Sequence, residues 1–112
     1  MAKVSRGDAI KAATTALGNL QDDELVASGV RTSLDWLTKE HPGRAVEVRV
    51  PPYRAVQILG GTTHRRGTPP AVVEMSTQIW LELFTKKLTW ADAISSGQAI
   101  ASGERSDLSP IL

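Results

Sequence analysis

The chain has 112 residues, a formal net charge of +1 and no cysteine. That length suits one domain with one core. The missing thiols exclude disulfides and thiolate chemistry, and the near-neutral balance gives no global attraction to nucleic acid.

Residues 8–20, "DAIKAATTALGNL", place Ile10, Ala13, Leu17 and Leu20 at helical spacing, and Gly18 is a suitable end. Residues 22–41 carry the clearest helical pattern. Asp22, Asp23 and Glu24 sit in the first turn, where carboxylates complement exposed N–H groups. Leu25, Val26, Val30, Ser33, Leu34 and Leu37 then form one apolar face, and Lys39, His41 and Pro42-Gly43 close the helix.

The period then changes. "AVEVRV" alternates, with Val46, Val48 and Val50 on one side and Glu47 and Arg49 on the other. Pro51-Pro52 interrupts it. "RAVQIL" is a second alternating run through Val56 and Ile58, and Gly60-Gly61 suits a hairpin turn. "TTHRR", residues 62–66, is expected to return as a polar edge strand, followed by "AVVEM" after Pro69-Pro70.

Ser76 is expected to cap a helix over 77–87 that is apolar almost all round. Thr89 caps a second short helix, "WADAISS", ended by Gly97. "QAIAS" is a last strand, and "SDLSPIL" a short helical tail. The fold expected is α+β, a five-stranded, mostly antiparallel sheet with helices packed on one face. It forms a single domain over 1–112, helical over 1–43, with the sheet and C-terminal helices over 44–112. No apolar run approaches the roughly 18 residues of a membrane span. The N-terminus is too polar for a signal peptide, so a cytoplasmic setting is expected.

Charge is unevenly spread. Residues 44–66 hold Arg44, Arg49, Arg54, Arg65 and Arg66 against Glu47 alone. Such a run either decorates a solvated sheet face or meets an anion. "GGTTHRRGT" is rich in glycine and basic, yet it lies between strands and lacks a phosphate-loop pattern. His41 and His64 are the two imidazoles; no "GxSxG" elbow accompanies them, and no cluster of three or four metal ligands is evident. No catalytic residue, metal site or cofactor is therefore expected. The remaining signal is apolar: Trp80, Leu83, Phe84, Leu88, Trp90 and Ile94 in the helices, then Leu108, Ile111 and Leu112 in the tail. Plain core accounts for such a set as well as a cavity wall does.

Residues 71–112 resemble the C-terminal half of the sterol-carrier-protein domain, the non-specific lipid-transfer family, in its compact stand-alone bacterial form. The family's order is a strand, a capped helix ending near "tGkL", an "A…sGkl" helix and strand, and an apolar tail. Here these read Val72–Met75, Ser76 to Phe84, "TKKL" 85–88, "WADAISSGQAIASGE" 90–104 and "DLSPIL" 107–112. Lys86 stands where the family usually has Gly, and Gln98-Ala99 replaces "kl". The resemblance implies a five-stranded sheet with helices on one face and an apolar tunnel for acyl chains or sterols. A related sheet domain accompanies thiol-dependent isomerases, where a separate helical domain, not expected within these 112 residues, holds the metal.

Two functions follow as expectations. The first is a non-catalytic carrier of an apolar small molecule, a fatty acyl lipid or sterol-like ligand, with affinity from apolar burial. Strand alternation selects Val48, Val56, Ile58 and Val73 to line its cavity. Helical period selects Trp80, Phe84, Trp90 and Ile94, and the tail adds Leu108 and Ile111. Arg49, Arg65 and Arg66 would hold an anionic headgroup at the mouth. The second is an interaction or homodimerisation module whose apolar helix 77–87 buries against another copy or another protein.

Overall fold

The computed structural model describes residues 4–60, 71–103 and 106–112. The first helix, α1, spans Arg6–Leu17 and starts earlier than the apolar spacing suggests, because Ser5 and Asp8 form a reciprocal capping box. The Asp8 N–H donates to Ser5 Oγ at 3.0 Å and the Ser5 N–H to Asp8 Oδ2 at 3.3 Å. Its buried side is Ala9, Ala13 and Ala16. Ile10 and Leu17 are only half-buried, and Leu20 is exposed beyond the helix end. The expected apolar line is thus rotated toward alanines, and the reason lies in the next helix.

That helix, α2, spans Asp23–Glu40, with Asp22 accepting the Leu25 N–H at 3.1 Å. A Cβ added to Gly29 would lie 2.6 Å from Ala16 Cβ and 2.9 Å from the Ala12 carbonyl oxygen. Only small residues permit α1 to approach this closely. Val26, Val30, Ser33, Leu34 and Leu37 are buried as the period requires, Trp36 joins them, and Leu25 is exposed.

Strands β1 (Val46–Val50) and β2 (Arg54–Ile58) form an antiparallel hairpin around Pro51, Pro52 and Tyr53. Strand β3 (Ala71–Met75) lies on the other side of β1 and runs parallel to it, and β4 (Ala99–Ser102) pairs antiparallel with β3. The order is β2-β1-β3-β4. The sheet is therefore mixed and has four strands among the described residues, not the expected five in mostly antiparallel array. The strand expected at 62–66 falls outside the described residues, as does Gly61 of the turn expected before it. The parallel centre arises because β3 returns beside β1 instead of extending the β1–β2 hairpin.

Helix α3 spans Thr77–Phe84, shorter than the expected 77–87. Ser76 caps its start, and the chain leaves the helix through Thr85 and Lys86. Helix α4 spans Trp90–Ser95, with Thr89 Oγ1 accepting the Asp92 N–H at 3.1 Å. A 3-10 turn covers Ser109–Ile111.

The register puts one set of strand residues on one sheet face. Val46, Val48, Val50, Ile58, Ala71, Val73, Met75 and Ala99 are buried there and share one cluster with Leu34, Leu37, Trp80 and Leu81 of the helices. Burial of each large apolar side chain contributes about 1.5–3 kcal/mol. The opposite face carries Glu47, Arg49, Gln57, Glu74 and the exposed Ile100. Arg54 and Asp35 join β2 to α2 at 2.9 Å, an exposed pair worth about 1 kcal/mol at most.

Ser33 is the one fully buried polar residue among those described. Trp80 Nε1 donates to its Oγ at 2.8 Å, and that hydroxyl donates onward to the Gly29 carbonyl at 2.7 Å. Ser33→Ala leaves the indole N–H buried without an acceptor. It should cost about 1–3 kcal/mol in urea unfolding. A change below about 0.5 kcal/mol would show that the N–H finds another acceptor.

Candidate ligand-binding site

The residues assigned to a cavity wall divide into three groups. Val48, Ile58, Val73, Trp80 and Leu108 have no exposed surface at all. Residues facing a ligand-sized void would retain some, so in this conformation these five are packed core. Phe84 is 4% exposed, its ring tilted against Trp80 at 5.5 Å and edge-on to Trp36 at 5.8 Å. Val56, Trp90 and Ile111 are half-buried against the cluster. Ile94 is 38% exposed and stands outside it.

The headgroup residues separate likewise. Arg49 lies on the sheet face opposite the core and pairs with Glu47, away from every buried candidate. Arg65, Arg66 and His64 fall outside the described residues. His41 is at the C-terminal end of α2 with its ring edge-on to Trp36 at 6.4 Å, and its carbonyl accepts the Leu59 N–H at 2.8 Å. That is a structural placement.

What the structure does form is a cleft of about 210 Å3 where α3, the turn after it, α4 and the tail meet. Leu83, Leu88, Trp90 and Leu112 supply its apolar wall, and Lys86, Thr89 and Ser109 its polar rim. Of the expected lining residues only Trp90 is among them. Leu83, Leu88 and Leu112 belong to the apolar excess of the last third, but no periodicity singles them out for the cleft: Leu83 is one of several apolar residues in a helix apolar almost all round, Leu88 follows a turn and Leu112 is in the tail. Lys86 was visible only as a lysine at a turn position usually held by glycine. The cleft is below the roughly 300–1,000 Å3 typical of small-molecule pockets.

Within the tail beside the cleft, Asp107 fixes the turn into the 3-10 segment. Its carboxylate accepts the Ser109 N–H at 2.9 Å. That backbone bond first, and the Ser109 hydroxyl second, hold its pKa below the usual carboxylate range, against a small opposing effect of desolvation. A broader, open concavity of about 790 Å3 lies along Gly18 to Glu24, but its wall is largely polar and acidic, and Asp22 is already used as the cap of α2. Among the described residues no group of three or more His, Asp or Glu could hold a metal, and no helix is long and apolar enough to cross a membrane.

These features define a class: an α+β domain with helices over one face of a mixed sheet and an apolar cleft under its C-terminal tail. Residues 22–112 match the family model described as bacterial SCP ortholog, and the chain belongs to that sterol-carrier-protein-like family. The match takes in α2 and everything after it, and α1 precedes it. No match to a curated protein was found.

Proposed function

We propose that the protein is a non-catalytic carrier of an apolar small molecule, a fatty acyl lipid or a sterol-like ligand. Family membership supports a lipid-carrier role in outline. The observation that carries the reading for this chain is the cleft walled by Leu83, Leu88, Trp90 and Leu112, in a domain whose core is otherwise closely packed. The ligand site is then at the tail end of α3, and not along the buried face of the sheet. A larger ligand enters by displacing the tail, which rests on Leu108 and half-buried Ile111.

The interaction reading fares less well. Ile79, Trp80, Leu81, Leu83 and Phe84 bury within the same chain, so α3 offers no free apolar face to a second copy. Trp80→Glu would place a charge in the core and unfold the protein; it cannot report on a dimer.

Titration with a fluorescent acyl chain, together with native mass spectrometry of gently purified protein, tests the carrier reading. Saturable binding is expected, and Trp90→Ala should weaken it about tenfold, equivalent to ~1.4 kcal/mol of lost apolar contact. Absence of both bound lipid and saturable binding would reject the reading. A concentration-dependent dimer in sedimentation without ligand binding would revive the interaction module.

A further inference from the structure

Lys86 has a backbone conformation that its residue type does not favour. It follows the C-cap of α3 with φ +64, its N–H donating to the Leu83 carbonyl at 3.1 Å, while the Lys87 N–H reaches back to the Glu82 carbonyl at 2.8 Å. This is a left-handed helix terminator, a position that glycine fills without steric penalty and residues with a Cβ do not. Leu59 is the other such residue among those described, and its side chain packs against the core. Lys86 is exposed, so packing does not account for it. A cation here complements the carbonyl end of α3. Lys87, one residue on, supplies that without a positive φ.

Lys86 also lies at the cleft. It is the one charged side chain on the rim of the apolar cleft, beside Leu88 and Trp90. Among the described residues it has no ion pair and no side-chain hydrogen bond. Neighbouring Glu82 is engaged by the Gln78 amide at 2.9 Å. Thr89, also on the rim, accepts the Asp92 N–H and keeps its hydroxyl proton to donate. Apolar wall, unpaired ammonium and spare hydroxyl together match a molecule with an apolar tail and an anionic head.

We propose that Lys86 is the headgroup-pairing residue of this cleft, and that the ligand it selects is a single-chain amphiphile with a carboxylate or phosphate head. This rests on the carrier reading and moves the headgroup site from Arg49, Arg65 and Arg66 to the turn after α3. At about 210 Å3 the cleft takes a short stretch of a single chain and leaves the head at its rim.

Calorimetric titration of octanoate, octyl phosphate and octanol into the wild-type protein and Lys86→Gly, Lys86→Asn and Lys86→Arg variants tests this at fixed ionic strength. One or both anions should bind about tenfold or more tighter than octanol, and the tighter of the two identifies the head. Lys86→Gly and Lys86→Asn should lose that preference while octanol binding changes less than about twofold, and Lys86→Arg should keep it. The glycine variant should also melt a few degrees higher, since it relieves the backbone, which a purely structural lysine would not couple to weaker anion binding. Within a carboxylate series, affinity should rise by up to about fourfold per methylene and level off once the cleft is filled. Octanol binding without anion preference, or equal losses for all three ligands in Lys86→Gly, would overturn this inference and leave the carrier reading standing. Binding of none of them to the wild type, with no uptake of longer acyl chains, would overturn both.

Discussion

Trp80→Ala is expected to cost about 3–5 kcal/mol, the range for removal of a large aromatic from a packed core. Trp80 has no exposed surface, stacks obliquely on Phe84 at 5.5 Å and donates its indole N–H to Ser33. The substitution therefore opens a void between α3 and α2 and also removes a donor from the buried Ser33 hydroxyl. Against a total stability of about 5–15 kcal/mol this is a large fraction. For a chain of this size the melting temperature should fall by about 10–20 °C. Differential scanning calorimetry or a urea titration measures it. A loss below about 1.5 kcal/mol would mean that the neighbouring side chains collapse into the space.

Gly43→Ala is expected to be nearly as damaging, about 3 kcal/mol or more, without removing a single contact. Gly43 has φ +146, and a Cβ built on it would lie 2.1 Å from both the carbonyl carbon and oxygen of Leu59. Those atoms belong to backbone held on both sides: the Leu59 N–H donates to the His41 carbonyl and the Leu59 carbonyl accepts the Ala45 N–H, each at 2.8 Å. Relief requires the end of α2 to separate from the end of β2, so the strain spreads into the sheet. Circular dichroism melting should show a drop on the order of 10 °C. A variant that melts within about 2 °C of the parent would contradict this geometry.

The two sites differ in how far they could be read beforehand. Trp80 belongs to a helix apolar on nearly every side, which already implies burial, and its burial is complete. Gly43 reads as a helix stop beside Pro42, and α2 does end just before them, at Glu40 with His41 as its cap. The second task of Gly43, to admit the backbone of Leu59, depends on a strand sixteen residues further along and has no local signature. Gly29 is similar. In the sequence it is a weak point within a good helix, but in the fold it is the contact that lets the alanine side of α1 approach.

The cleft's lining was legible in the sequence only as a region of the chain, not residue by residue. Apolar excess marks the last third of the chain, and the cleft is lined from that third. Alternation then chose Val48, Ile58 and Val73, which do face inward, but a core position and a cavity wall share that pattern, and here the space is filled. Arg49 illustrates the converse: its alternation with Val48 and Val50 already put it on the other face, so it could meet the apolar interior only if the ligand site lay outside the sheet's buried side. Leu88 and Leu112, by contrast, reach the cleft through a turn and a tail, where no repeat exists to read.

Residue order alone determined the helices, the four strands among the described residues and most of their ends, because caps, breakers and hydrophobic period act over three or four residues. Ser76, Thr89 and Asp22 each cap the helix that follows them, and the switch from helical to alternating period after Gly43 marks the start of the sheet. Tertiary structure decided which strands pair, that β3 lies parallel to β1, that α1 docks through alanines, and that an apolar cleft among the described residues is under the tail. These outcomes depend on contacts between residues far apart in the chain. A strand's alternation is the same whether its neighbour runs parallel or antiparallel, and an apolar side chain's burial is the same whether a protein atom or a ligand covers it.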